Sequence, residues 1–169
     1  RGYLDPGEDG PTHYISNNNS GMLRSVWERF PVPEQGGPYA AQLQAAANMR
    51  DGGRFLFQPA ITVIHEFEGW SMERDIRCHI GWATIRTRQI DPRLRFSWLL
   101  RLGQASIPLF YIGRLIESWG TCFRVGRYYG LRLIDYPIAL ALALWIHVLE
   151  IKGMLLAFRN QHLDETKYR

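Results

Sequence analysis

Lysine is nearly missing from this chain of 169 residues: eighteen of its twenty basic side chains are arginine. Cysteine is as scarce. Cys78 and Cys122 lie far apart, with no C-x-x-C and no paired histidine spacing, which argues against a disulfide framework or a zinc site and reads as two free thiols in a reducing compartment. No short basic region followed by an apolar run and a small-residue cleavage site opens the sequence, so no secretory leader is read. An uninterrupted apolar run of the roughly 20 residues that cross a hydrocarbon core is also lacking. Internal repeats and low-complexity tracts are absent as well.

What is present is arginine interleaved with aromatic rings. Residues 1–69 carry five Arg against eight acids, residues 70–132 eleven Arg against four, and residues 133–169 balance four against four. In the middle third the arginines alternate with Trp70, Trp82, Trp98, Phe110, Tyr111, Trp119, Phe123, Tyr128 and Tyr129. Rings that sit at headgroup level and guanidinium groups that meet phosphate suit an anionic membrane surface. Nucleic acid is the weaker partner, because no nucleic-acid module surrounds the stripe and long apolar stretches follow it.

The length suits one medium domain with a sizeable core. Residues 1–20 read as polar loop entered in mid-protein, since the chain opens on Arg1 rather than Met and shows little periodicity there. Ser25-Val26-Trp27-Glu28 has the form of a capping box and predicts a short helix from Ser25, stopped by Phe30-Pro31-Val32-Pro33. Tyr39–Arg50 is Ala-rich and predicts a helix, with Gly52-Gly53 as its left-handed stop. Arg54–Gln58 and Ala60–His65, separated by Pro59, predict strand. Met72, Ile76, Ile80 and Ala83 recur at helical spacing and predict an amphipathic helix over Ser71–Gln89 whose polar face carries Arg74, Arg77, Arg86 and Arg88.

Beyond Pro92 the chain becomes apolar. Phe96–Ile116 is broken by Arg101, Gln104, Pro108 and Arg114, and Leu131–Phe158 by Pro137, Glu150 and Lys152, although Ile138–Phe158 is long enough to span if its two charges are tolerated. In-plane helices or a hairpin entering one leaflet is the preferred reading, with a buried soluble helical subdomain as the alternative. Residues 159–169 read as a polar tail.

Asn17-Asn18-Asn19-Ser20, Arg24 to Phe30, Asp51-Gly52-Gly53-Arg54-Phe55-Leu56-Phe57-Gln58-Pro59 and Ile64-His65 follow one another in an order that resembles the second half of a bacterial family 2 glycosyltransferase. There, a loop reading roughly N-x-x-x-x-R-R-x-x-x-E-x-x-G leads into an acid-bearing helix, a G-x-x-h-x-x-x-P strand and a histidine. The resemblance implies transfer of a sugar from a nucleotide-sugar donor to a glycan or lipid acceptor, aided by a divalent cation, Mg or Mn. By the same resemblance Asn18, Asn19 and Arg24 bind substrate, and His65 approaches the metal or the donor diphosphate. Taken by themselves, the Asn run equally forms a turn, Arg24 a solvated helix start and His65 a hydrogen-bonded structural residue.

This chain departs from the family pattern in three places. No D-x-D motif for the cation is present, and Asp5, Glu8 and Asp9 are not spaced as one. Gly37-Pro38-Tyr39-Ala40-Ala41 holds no carboxylate where relatives place the catalytic base, which leaves Glu34 as the nearest acid. Trp82 replaces the first Arg of the Gly-Arg-x-x-Ala-x-x-Arg pattern near Gly81–Arg86.

The expected fold is therefore α/β: after a polar loop over 1–10, a partial GT-A-like domain over residues 11–90 with its late strands and helices. An apolar, membrane-associated helical region over 91–158 and a tail over 159–169 follow. The expected function is that of a glycosyltransferase fragment, inactive alone, at the cytoplasmic face of the cell membrane. A non-catalytic membrane-associated helical module is the alternative.

Overall fold

A computed structural model describes residues 10–12, 22–32, 40–57 and 69–161. Its backbone divides into two compact units, Arg1–Phe67 and Glu68–Arg169. The helix expected over Ser71–Gln89 thus belongs with the apolar segments that follow it.

In the first unit, β1 (Gly10–Thr12) pairs antiparallel with β2 (Phe55–Phe57), Pro11 opposite Leu56. Helix α1 (Arg24–Arg29) begins one residue before the proposed cap. Leu23 occupies the N-cap with no side-chain hydrogen bond, so Ser25 sits inside the first turn and the capping box does not form. Helix α2 (Ala40–Arg50) buries Leu43, Gln44 and Ala45, and the Gln44 amide donates to the Phe30 carbonyl. It ends at Gly52, where φ is +85°, as the Gly-Gly pair predicts.

The α/β class is not what these residues form. The fold is helical, and the sheet among the described residues is one ladder of three residues per strand, antiparallel rather than the parallel pairing of an α/β layer. The strand expected over Arg54–Gln58 shortens to Phe55–Phe57, and the one expected over Ala60–His65 lies outside the described residues.

The second unit is built from α3 (Trp70–Ile90), α4 (Ile107–Val125) and α5 (Tyr136–Phe158), with 3-10 segments at Ser97–Ser106 and Leu133–Asp135. Pro108 and Pro137 each stand in the first turn of a helix, where a missing N–H costs nothing and the fixed φ is already helical. They start α4 and α5 instead of interrupting them. Gly103, at φ +57°, supplies the kink inside the 3-10 segment, and the buried Ser106 hydroxyl donates to its carbonyl at 2.7 Å.

Helices α3 and α5 meet at two glycines. A Cβ on Gly81 would collide with the Glu150 carbonyl, and one on Gly153 with the Cys78 carbonyl, so the two backbones touch directly. Ile85, Met154 and Ala157 are sealed beside this contact, each large side chain contributing about 1.5–3 kcal/mol on burial. Helices α4 and α5 run antiparallel: Phe123 stacks on Tyr136 with centroids 5.5 Å apart, and Trp119 Nε1 donates to the Leu140 carbonyl at 3.2 Å.

Candidate functional site

Of the residues singled out from the sequence, Asn18, Asn19, Glu34 and His65 lie outside the described residues. Arg24 is described. Its guanidinium is exposed on α1 and pairs with Glu28 one turn on at 2.7 Å, the arrangement of a solvated helix surface. Among the described residues no group of three or more His, Cys, Asp and Glu side chains converges as a cation set.

The second unit holds a polar cluster that sequence reasoning missed. Glu150 on α5 is fully buried, and two arginines from neighbouring helices reach it: Arg114 Nε of α4 donates to Oε2 at 2.6 Å, and Arg77 Nη1 of α3 lies 3.6 Å from Oε1. Arg77 is in turn held by Glu73 one turn earlier. His147, one turn before Glu150, is buried, with Nε2 2.8 Å from Ser118 Oγ. Its Nδ1 lies 3.1 Å from Glu150 Oε2 but out of line for a hydrogen bond. The charges of Glu73, Glu150, Arg77 and Arg114 cancel, which is what allows a carboxylate to sit in a helical core.

Ser118, His147 and Glu150 stand in the order nucleophile, base and carboxylate. Two observations remove the hydrolytic reading. Ser118 lies mid-helix in α4, where backbone N–H groups are committed to the helical ladder and none is free to hold an oxyanion. Glu150 is also shared between two guanidinium groups instead of being reserved for the imidazole. The cluster pins three helices together.

Arg88, near the end of α3, shows the same economy. It donates to the carbonyls of Thr84 and Arg95, and its guanidinium lies 5.2 Å over the Phe110 ring. Burial, and then the nearby Arg114 charge, lowers its pKa to about 10, with Glu117 opposing; it remains a cation at neutral pH.

Outside this cluster much of the surface of α4 and α5 is apolar, with Glu117, Arg124 and Lys152 as exposed charges. Leu109, Ile112, Ile116 and Phe123 of α4 and Ile138, Leu142, Leu144, Trp145 and Val148 of α5 are exposed. Leu133–Phe158 is long and apolar enough to cross a membrane, and only 28% of its most apolar window is buried, far less than a soluble core helix would show. Exposed Tyr128, Tyr129, Leu133 and Ile134 border the turn between α4 and α5. Arg132 there pairs with Asp135.

A last feature of the unit is a cleft of about 140 Å³ between α3 and the end of α5, lined by Trp82, Arg86, Ala157, Asn160 and Gln161. No protein-family model matches the chain, and no curated protein and no solved structure matches it.

Proposed function

We propose that the second unit is a membrane anchor and that the chain serves a membrane-associated glycosyltransferase acting at the cytoplasmic face. The enzyme would move a sugar from a nucleotide-sugar donor to a cell-surface glycan or lipid acceptor. The observation that carries the anchor is α5 itself. From Pro137 to Val148 its only polar side chain is that of His147, which turns inward to Ser118, while apolar side chains on several faces stay exposed. Over these residues α5 is apolar on every free face, which suits lipid better than the boundary between lipid and water, and exposed Lys152 stands near the far end, within snorkelling reach of the headgroups. Its 23 residues rise about 34 Å, enough for a hydrocarbon core of about 30 Å.

Support for the enzymatic part is the order of the Asn, Arg, Gly-Gly-Arg and His motifs along residues 17–65. The second reading, a non-catalytic membrane module, is favoured by Gly37-Pro38-Tyr39-Ala40-Ala41, which holds no carboxylate where the family pattern places the base. The deciding experiment has two arms. The full chain is floated with phosphatidylcholine vesicles, where recovery in the soluble fraction would refute the anchor. Transfer of labelled sugar from a nucleotide-sugar is then measured in native membranes with and without this coding sequence. Transfer lost on its deletion supports the glycosyltransferase, and transfer unchanged supports the module.

A further inference from the structure

We infer that the cleft lined by Trp82, Arg86, Ala157, Asn160 and Gln161 binds a phosphate group, and that in the anchored protein this phosphate is carried by a lipid; the lipid source rests on the membrane reading above. Helix α5 ends in a tight turn at Asn160, φ +53°, whose amides occupy the terminal carbonyls: Arg159 and Gln161 donate to Leu156, and Asn160 to Ala157. The Gln161 carbonyl takes the Trp82 indole N–H at 3.0 Å. The Leu156, Ala157 and Gln161 carbonyls are thus already engaged, which leaves side-chain donors at the cleft to find acceptors elsewhere.

Arg86 is the principal one. It is half-buried, and among the described residues its guanidinium makes one hydrogen bond, to the Gln89 side chain at 3.2 Å, with no carboxylate in ion-pair range. The other half-buried arginines of α3 are paired: Arg77 by Glu73 and Glu150, Arg88 by two carbonyls and a ring. A partly desolvated cation in a cleft bordered by Asn160 and Gln161 is a site for an anion with several acceptor oxygens, and the guanidinium fork matches phosphate. The volume admits a phosphate and the first atoms of its ester. Position favours a lipid as the source. If α5 enters the bilayer at Tyr136, about 20 residues carry it across, which brings Ala157–Gln161 to headgroup level.

The test uses the full chain and the variants Arg86→Gln and Arg74→Gln, the latter removing the same charge from an exposed position of α3. Circular dichroism checks that each variant stays helical. Flotation compares phosphatidylcholine vesicles with and without phosphatidic acid, while thermal unfolding in detergent is followed with and without inorganic phosphate. Phosphatidic acid should tighten binding of the wild type. Arg86→Gln should lose about tenfold of that affinity and Arg74→Gln much less, as one lost charge-assisted contact predicts. Equal losses in both variants would reduce the effect to non-specific surface charge and overturn the site. If the chain ignores all vesicles while phosphate raises the unfolding temperature of the wild type and not of Arg86→Gln, the membrane reading fails and a soluble phosphate ester is the ligand. Vesicle binding with no response to either phosphate source leaves the anchor standing and sinks the cleft.

Discussion

Arg114 holds Glu150 side-on across the contact of α4 with α5, Nε donating to Oε2 at 2.6 Å and Nη2 to Oε1 at 3.3 Å. Two parallel bonds fix both the separation of the helices and their register. Removing the carboxylate strands this guanidinium at the helix contact and leaves Arg77 with Glu73 alone.

Glu150→Ala should therefore destabilise the second unit by about 3 kcal/mol or more. The double variant Glu150→Leu with Arg114→Leu should recover much of that loss, because paired removal takes away the desolvation cost together with the attraction. Thermal unfolding in detergent, followed by helical circular dichroism, measures both. A double variant no more stable than Glu150→Ala would refute the pin.

The glycine crossing gives a second test. Because Gly81 and Gly153 each lie against a carbonyl of the facing helix, Gly81→Ala and Gly153→Ala must push α3 and α5 apart. Loss of about 1–3 kcal/mol is expected for each, the range for overpacking. Gly120→Ala, on α4 with open space around it, serves as the control and should unfold at the wild-type temperature or slightly above it.

Local signals were legible where neighbouring residues decide the outcome. The helix predicted over Ser71–Gln89 forms as Trp70–Ile90, that over Tyr39–Arg50 as Ala40–Arg50, and Gly52 stops the latter. What could not be read were outcomes set at a distance. Glu150 and Lys152 read as interruptions of the second apolar stretch, yet α5 runs through both, because Arg114, thirty-six positions away, neutralises Glu150. Pro108 and Pro137 read as breaks and are starts, a difference that rests on where the preceding turn ends. The α/β expectation failed because, among the described residues, the short β-type run near Phe55 has one partner, Gly10–Thr12, which is antiparallel, and the rest of the fold is helical. The cluster around Glu150 carried one faint signal, a His and a Glu one turn apart within an otherwise apolar run, which marks a buried polar partner elsewhere.

Depth can be read from tryptophan. The chain has six, and two on opposite sides of the argument are Trp145, 53% exposed on α5, and Trp82, 6% exposed and hydrogen-bonded to Gln161. In variants keeping only one or the other, brominated acyl chains should quench Trp145 several-fold more than Trp82. Leu144→Asp, on the exposed surface of α5 near the middle of the span, should weaken vesicle binding without loss of helix, since a carboxylate at the centre of the hydrocarbon costs about 2.5–3.5 kcal/mol. Absence of quenching at Trp145 would place α5 in water.

Cys78 supplies a probe on α3 that is independent of lipid. Burial raises the pKa of its thiol above the ordinary value of 9.0; the nearby Lys152 charge opposes the shift and Asp75 adds to it. The thiolate is the species that reacts, so at pH 8 iodoacetamide should label Cys78 more slowly than it labels an unstructured cysteine peptide. The rate should rise with pH and keep rising past the point near pH 9 where that of the peptide levels off. In the unfolded chain the thiol ionises earlier, so Cys78 stabilises the fold fully below pH 9 and loses that contribution as pH rises through the higher folded value. Cys78→Ser should remove this part of the alkaline loss of stability, measured as unfolding temperature against pH. Because the Cys78 carbonyl lies against Gly153, the labelling rate also reports the α3–α5 crossing: Gly153→Ala, by opening it, should bring Cys78 toward the rate of the free peptide at the same pH. A rate unchanged in that variant would show that the crossing does not shield the thiol.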